Sequence, residues 1–357
     1  MFTRLVVAWV IMAMVSGGVL SEELNLKDIF SEPVCLLDAS GKPLITGKAE
    51  ATPFAADFDG DGKIDLIIGA KLNMDTAEGG IWLVKNVGTN EKQLYDWTNA
   101  WQVALSGGDE KKTSGMTFQC GCKSAGYVPV QAVDWNGDGW MDIVCSDTYA
   151  RAFILINKKT SRDKPTFEQV KYFDFEKTNH GMMIGGGDWD GDSIRDFLYM
   201  PFAGATYNVF KGDILGGKGL HFLEGGLKTA KVIPMTGEKA LECAWAWNFS
   251  GKAAPGTIEY VGVSNADKSD VEFYRAVNSV SKKIGVIGQF ESTYVKLAAS
   301  DANGDGKMDV LYSGGVFADP AKCKIWVIYG KVKNIPDAKP DSKTKPSGKP
   351  KPSQNTK

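Results

Sequence analysis

Four acidic nonapeptides are the residues of this chain whose types and spacing point most directly to chemistry. They run from Asp57 to Asp65, from Asp134 to Asp142, from Asp188 to Asp196 and from Asp301 to Asp309. Each has Asp or Asn at positions 1, 3 and 5, Gly at position 4 and Asp at position 9. Carboxylates crowded in this way repel one another unless a cation lies between them, and a hard cation prefers such oxygen ligands. The spacing therefore predicts a cation-binding loop that is repeated four times.

The ligand pattern also indicates which cation the loops hold. Ca²⁺ fits better than Mg²⁺, because Mg²⁺ demands a stricter octahedron and retains more of its water. Position 7 contributes its backbone carbonyl, so its side chain is free to vary, as it does among Lys63, Trp140, Ile194 and Lys307. The loops differ from EF-hands, which need a Glu at position 12 and flanking helices. A metal-free alternative is a set of Asx-rich hairpin turns.

Each acidic loop lies between short β-like runs, so strands must position it. The runs before the loops are residues 53–56, 129–133, 182–187 and 294–300, and a compact apolar run and a further strand follow each loop. A degenerate fifth unit spans residues 241–274, with Asn248 at the start of a loop that lacks the carboxylates. Repeated units of three or four short strands are typical of propeller blades. The fold class predicted is all-β, a β-propeller of about five blades, of which four have calcium loops and one is degenerate.

An N-terminal segment and the cysteines bear on how such a ring closes. Residues 34–37 and 43–46 form a predicted hairpin, which we place beside residues 325–329 in the last blade, where it closes the ring. That placement would bring Cys35 and Cys323 together as a disulfide. Cys145 and Cys243 lie in strand patterns and are predicted to be small buried hydrophobic residues.

The loops, the strands around them and the repeat length resemble FG-GAP/VCBS-type repeats, the blades of the integrin α-chain propeller and of many secreted bacterial proteins. The resemblance covers roughly residues 50–330 and implies a propeller stabilised by up to four structural Ca²⁺ ions. The implied side-chain ligands are Asp57, Asp59, Asp61 and Asp65; Asp134, Asn136, Asp138 and Asp142; Asp188, Asp190, Asp192 and Asp196; and Asp301, Asn303, Asp305 and Asp309. Ser193 replaces Gly at position 6 of the third loop, which makes that site the weakest.

Composition divides the chain into four parts. Residues 1–21 combine Arg4 with an apolar run and small residues, the pattern of a secretory signal peptide. Residues 22–50 are the N-terminal segment with the closing hairpin, and residues 51–330 are the propeller. Residues 331–357 are rich in Lys and Pro and are predicted to form a disordered tail. We therefore expect a secreted, periplasmic or cell-surface protein with no transmembrane segment in the mature chain.

The overall formal charge of −2 hides an acidic body and a basic tail. With 43% hydrophobic and 11% aromatic residues, the chain is too apolar for global disorder. The tail can contact an anionic surface, but the acidic body argues against a nucleic-acid partner. Calcium binding would neutralise most of the acidity of the body.

Two functional hypotheses follow. The first is a non-catalytic module that binds a protein or a glycan, and the sequence favours it because every repeated feature serves architecture. The alternative is a carbohydrate-active enzyme, a polysaccharide lyase or hydrolase, with an axial site that uses the insertion at residues 97–123 and His180. Trp97, Trp101 and Trp140 are candidate stacking platforms for a sugar.

Overall fold

The structure is a computed structural model. The ranges that it describes are residues 24–48, 50–71, 78–105, 118–119, 128–146, 151–174, 181–189, 196–201, 206–210, 231–234, 241–251, 257–264, 269–277, 280–290, 295–316 and 319–332. The predicted signal peptide, most of the 97–123 insertion, His180 and nearly all of the predicted tail lie outside these ranges.

Strands make up almost all of the regular structure in these ranges. The helices are α1 (Leu26–Ile29) and a short 3₁₀ helix (Trp97–Asn99). The strands of the first half are β1 (Val34–Cys35), β2 (Leu37–Asp38), β3 (Thr52–Ala56), β4 (Asp65–Lys71), β5 (Glu78–Val84), β6 (Leu94–Tyr95), β7 (Trp101–Gln102), β8 (Ala104–Leu105), β9 (Phe118–Gln119), β10 (Val130–Val133), β11 (Asp142–Ser146) and β12 (Arg151–Asn157). Those of the second half are β13 (Thr166–Asp174), β14 (Gly181–Gly187), β15 (Asp196–Pro201), β16 (Thr206–Phe210), β17 (Lys231–Pro234), β18 (Leu241–Ala246), β19 (Thr257–Ser264), β20 (Ser269–Val277), β21 (Val280–Phe290), β22 (Lys296–Ser300), β23 (Asp309–Val316) and β24 (Asp319–Ile328).

The strands form four large sheets of consecutive antiparallel strands. Their orders are β3-β4-β5-β7, with β9 also on β5; β10-β11-β12-β13-β8; β17-β16-β15-β14-β18-β19-β20-β21; and β1-β24-β23-β22. Apart from the short edge strands, each sheet is built from local hairpins, as the hydrophobic runs on either side of each loop predict. In the eight-stranded sheet, β14 and β18 pair in parallel, so two four-stranded meanders meet along their first strands.

The first strand of each meander lies next to the first strand of another. β3 contacts both β10 and β22, and β18 contacts both β14 and β22. Between β10 and β14, the Gln131 side chain donates a hydrogen bond to the carbonyl of Gly185 over 3.2 Å. Sheets arranged around their first strands in this way form a β-propeller. The all-β propeller class predicted from the sequence is therefore confirmed.

The N-terminal segment packs against the last strand. Val34 and Cys35 pair with Val327 and Trp326, and Ile45 forms an isolated bridge with Lys324. β1 thus shields an edge of β24 that would otherwise expose unpaired backbone groups.

The predicted disulfide between Cys35 and Cys323 is wrong, because both thiols are free. The strand register explains this result, since it places Cys35 opposite Trp326 and not opposite Cys323. Cys145 and Cys243 are buried free thiols, as predicted. None of the helices in the described ranges has the length and apolarity that a membrane crossing requires.

Candidate functional site

The acidic loops that the structure describes completely curl in the same way. In the first, second and fourth loops, the glycines at positions 4 and 6 all have φ between 72° and 86°, in the left-handed region. These glycines are Gly60 and Gly62, Gly137 and Gly139, and Gly304 and Gly306. Residues with a Cβ rarely adopt this backbone, which gives glycine its role at both positions. The backbone curl expected from the sequence is present in all three loops.

The first loop brings three carboxylates together. One oxygen from each of Asp57, Asp59 and Asp61 lies within 4.8 Å of the others. Asp57 also accepts hydrogen bonds from the backbone N–H of Gly60 at 2.8 Å and of Gly62 at 3.1 Å. This donor set of converging carboxylate oxygens on a tightly curled loop suits Ca²⁺.

The second and fourth loops curl around the position-1 Asp in a similar way. Asp134 and Asp301, at position 1, accept hydrogen bonds from the backbone N–H groups of positions 5 and 6 over 2.8–3.1 Å. The side-chain oxygens of Asn136 and Asn303, at position 3, accept from the N–H of position 5 in their own loops. A shared fold in three separate loops indicates a shared role.

The Asp at position 9 has a structural role that the sequence did not reveal. Asp142 accepts the N–H of Trp135 at 3.0 Å and of Asn157 at 2.8 Å, and Asp309 accepts those of Ala302 and Gly330, both at 2.8 Å. Each carboxylate therefore ties its loop to the end of the third strand of the meander. We call this contact the carboxylate clasp.

Burial raises the pKa values of the clasp residues, which include Asp65, the acceptor of the backbone N–H of Asn86 at 2.8 Å. Asp65, Asp142 and Asp309 have at most 4% of their surface exposed. Desolvation is the main cause that raises the pKa of Asp65 to about 7, of Asp142 to about 6 and of Asp309 to about 7, and the carboxylates at positions 3 and 5 or 1 and 5 of each loop add to it. Backbone hydrogen bonds oppose the shift. A nearby cation would favour the ionised forms.

Lysines contact one carboxylate of each fully described loop. The distance from the lysine Nζ to the carboxylate oxygen is 2.7 Å between Lys85 and Asp59, 2.9 Å between Lys159 and Asp138, and 2.7 Å between Lys307 and Asp305. Lys85 also contacts Asp163, and although burial opposes the shift, its bonds to Asp163 and Asp59 raise the pKa of Lys85 above its ordinary value. The local excess of negative charge in each loop is thus partly balanced by an ammonium group.

The third loop lies only partly in the described ranges. Trp189 donates its backbone N–H to Asp196 at 2.9 Å, the same contact that the N–H of position 2 makes in the clasps of the second and fourth loops. Asp188, whose backbone N–H donates to the carbonyl of Ala246, is also described. Asp190, Asp192 and Ile194 lie outside the description, as does Ser193.

The degenerate loop keeps a clasp but changes its chemistry. Glu259 replaces the position-9 Asp and accepts the backbone N–H of Ser250 at 2.7 Å. Its other carboxylate oxygen accepts hydrogen bonds from Nε and Nη2 of Arg275, the residue directly opposite on β20. A guanidinium group therefore neutralises this buried carboxylate within the chain.

The candidate sugar platforms are all in use within the protein. Trp97 packs against Trp82 with ring centroids 6.1 Å apart. The guanidinium of Arg162 lies 3.7 Å from the centroid of the Trp140 ring, and Nζ of Lys164 lies 5.4 Å from that of Trp101. A cationic side chain therefore lies over the rings of both Trp101 and Trp140.

Sequence reasoning missed the groups that act between loops. Lys85 lines a cleft together with Arg162 and Lys164, which lie far from it in sequence. No local sequence pattern predicts that these side chains lie close together. The Glu259 and Arg275 pair does have a signal, since Glu follows Ile258 as Asp65 follows Ile64.

Comparisons with known proteins locate one of the repeats. Residues 134–199 match the family of FG-GAP-like repeats. The match runs from the second acidic loop into the strand after the third, which is one full repeat unit. A search of curated proteins gave no significant match.

Solved structures with a similar arrangement include two GH43 proteins and BBS1N in complex with ARL6DN. The GH43 β-1,3-galactosidase BT0265 is 12% identical with a TM-score of 0.49, and the alignment covers 85% of this chain and 62% of that protein. CoXyl43, a GH43 β-xylosidase/α-arabinofuranosidase from a compost microbial metagenome, is 14% identical with a TM-score of 0.42, covering 86% and 99%. BBS1N, solved in complex with ARL6DN, is 10% identical with a TM-score of 0.34, covering 84% and 72%.

The repeat match and the topology point to the same conclusion. The matched residues contain β11 to β14 and reach into β15, and the meander-and-loop unit recurs on either side of them. This chain is a β-propeller that contains an FG-GAP-like repeat.

Proposed function

We propose that the chain is a secreted, calcium-stabilised propeller that acts as a non-catalytic binding module for a protein or a glycan. The observation that carries the proposal is the backbone curl shared by the three described loops, with left-handed glycines at positions 4 and 6, together with the converging carboxylate oxygens of the first loop. Side-chain oxygens of Asp57, Asp59 and Asp61 and the carbonyl of Lys63 would hold the ion of the first loop. When bound, Ca²⁺ would supply positive charge and rigidity.

Five blades are part of the proposal. The eight-stranded sheet divides at the parallel β14 and β18 contact into two meanders of the size of the others, and this supports a count of five. The pairing of β1 with β24 supports closure of the ring by the N-terminal segment. The predicted signal peptide supports export.

The partners of four buried carboxylates in the described ranges support binding over catalysis. Asp142 and Asp309 accept two backbone N–H groups each, and Glu259 is engaged by Arg275. Glu272 is bonded by Lys283 at 3.0 Å and by the hydroxyl of Tyr274. A general acid or base needs a carboxyl that is free to exchange a proton with substrate, whereas these groups hold strands and loops together.

A glycan array and a panel of polysaccharide substrates, each with Ca²⁺ and with EGTA, test the proposal. Retention of a glycan without release of product supports a binding module. Steady turnover of any polysaccharide would contradict the non-catalytic role. Capture of cell-surface proteins on the immobilised chain tests the protein-binding arm.

A further inference from the structure

The turn between β12 and β13, residues 158–165, touches two neighbouring acidic loops. The guanidinium group of Arg162 stacks on the ring of Trp140, position 7 of the second loop, with Cζ 3.7 Å from the ring centroid. The same group lies against the first loop, since a methyl group placed on Gly60 would be 2.6 Å from Nη1 of Arg162. One side chain therefore contacts both loops.

Two further contacts join this turn to proposed cation ligands. On the second loop, Nζ of Lys159 lies 2.9 Å from Asp138, at position 5. On the first, Asp163 bonds to Lys85, whose Nζ lies 2.7 Å from Asp59, at position 3. When Asp59 turns its oxygens to a cation, the ammonium group of Lys85 keeps Asp163 as its partner. Ordering of the first loop around a cation therefore leaves Lys85 bound to the turn.

The first and fourth loops meet in a similar way across the turn between β5 and β6. The Asn90 side chain donates a hydrogen bond to the carbonyl of Gly62 in the first loop at 2.9 Å. A methyl group placed on Gly304 of the fourth loop would lie 3.1 Å from Nδ2 of Asn90. From the same turn, the Gln93 side chain donates to the carbonyl of Ala302 in the fourth loop.

The two junctions share one geometry. In each, the turn after the third strand of a meander packs on the position-4 glycine of the loop of a neighbouring meander. Gly60 and Gly304 have no side chain, and Arg162 and Asn90 fill the space that one would take. Contact between neighbouring loops is therefore a recurring feature of the described ring.

We infer that neighbouring acidic loops bind their cations with positive coupling, and that Arg162 transmits it between the first and second loops. The inference rests on the proposed calcium binding and adds how the sites act on one another. When the second loop is ordered around a cation, Trp140 is held in place and keeps Arg162 against Gly60. Less conformational entropy is then lost when the first loop binds its own cation, so its affinity rises. By linkage, the effect is reciprocal.

Hydrogen exchange of the full chain, followed by mass spectrometry over a Ca²⁺ titration, tests the inference because it reports on each loop separately. The segment of residues 57–65 contains the N–H groups of Gly60 and Gly62, which donate to Asp57. These groups should exchange more slowly as the loop is ordered. The Ca²⁺ concentration at half-maximal protection, the midpoint, measures the affinity of the first loop.

A substitution in the second loop should weaken binding at the first. Asp134→Asn should raise the midpoint at residues 57–65 about fivefold or more. In the Arg162→Ala background the same substitution should leave that midpoint unchanged, and comparison within one background cancels the direct effect of the Arg162 charge. Lys158→Ala is the matched control, because Lys158 lies exposed in the same turn and pairs with Glu168 at 3.9 Å. The fivefold effect should remain in that background.

The junction with the fourth loop gives a second measurement on the same segment. Asp301→Asn should also raise the midpoint of the first loop, because the contacts of Asn90 and Gln93 join these two loops. This shift should persist in the Arg162→Ala background, since Arg162 lies at the other junction.

Three results would overturn the inference. Unchanged midpoints in Asp134→Asn and Asp301→Asn, with the first loop still protected by Ca²⁺, would show independent sites and leave the proposed calcium binding standing. A shift in Asp134→Asn that persists undiminished in the Arg162→Ala background would exclude Arg162 as the transmitting residue. Absence of Ca²⁺-dependent protection from every loop of the unaltered chain would contradict the calcium proposal and the inference together.

Discussion

At the scale of single residues, one motif position serves two purposes. Sequence spacing identifies the Asp at position 9 only as a cation ligand. The structure shows Asp142 and Asp309 as buried acceptors of two backbone N–H groups each. Leaving a buried backbone donor without a partner costs about 1–3 kcal/mol. The clasp therefore stabilises each meander whether or not a cation is present.

Substitution can separate the clasp from the cation. In EGTA, Asp309→Ala should lower the free energy of unfolding by about 3 kcal/mol, because the N–H groups of Ala302 and Gly330 lose their acceptor. Asp305→Ala, at position 5 of the same loop, should cost little in EGTA and more in Ca²⁺. Urea unfolding measures both. Equal losses for the two variants in EGTA would contradict the clasp.

The raised pKa values predict a dependence of stability on pH. An unfolded Asp has a pKa of about 3.9, whereas Asp65 and Asp309 titrate at about 7 in the fold and Asp142 at about 6. Their protonated forms are thus favoured by folding. This contribution is fully present below about pH 4 and is lost as the pH rises through 6 to 7.

In EGTA, we therefore expect these groups to lower the melting temperature between pH 5 and pH 8. In Ca²⁺ the decline should be smaller, since a cation beside the carboxylates favours their ionised forms. Scanning calorimetry in matched buffers measures both series. A steeper decline with Ca²⁺ than with EGTA would count against cation binding at these loops.

At the scale of structural elements, the degenerate meander balances a buried carboxylate with a guanidinium group of the chain itself. Glu259 on β19 faces Arg275 on β20, in the unit whose loop lacks the repeated carboxylates. Removing one partner of a buried ion pair costs about 3–5 kcal/mol. Stability of this element should therefore be independent of calcium.

Arg275→Met should lower the free energy of unfolding by about 3 kcal/mol, and by the same amount in Ca²⁺ and in EGTA. Glu259→Gln in the Arg275→Met background should restore part of the loss, because it removes the unpaired charge. Denaturant titrations of the single and double variants measure the coupling. A loss that appears only in Ca²⁺ would show that this loop also depends on the ion.

The sequence predicted the elements well where the pattern is local. The run at residues 182–187 became β14, and the degenerate unit yielded β18 to β20. Prediction from the sequence failed for contacts between residues of distant segments. The register that separates Cys35 from Cys323 depends on how β1 meets β24. The stacking of Arg162 on Trp140 depends on a loop conformation, which no periodicity encodes.

At the scale of the whole molecule, the chain is a propeller whose meanders meet along their first strands. Interior contacts such as that of Gln131 with Gly185 join neighbouring meanders, while the acidic loops and clasps hold each one together. Calcium bound at several loops would stabilise the folded state by mass action, by about 4 kcal/mol per site at a concentration 1,000 times the dissociation constant. The loops would then act together on one unfolding transition.

The most direct test of the account is thermal unfolding of the full chain in 1 mM Ca²⁺ and in EGTA at pH 7.5. We expect a melting temperature higher in Ca²⁺ by on the order of 10 °C, since each kcal/mol shifts a domain of this size by a few degrees. Mg²⁺ at the same concentration should have a much smaller effect. Superimposable curves in Ca²⁺ and EGTA would contradict a calcium-stabilised propeller.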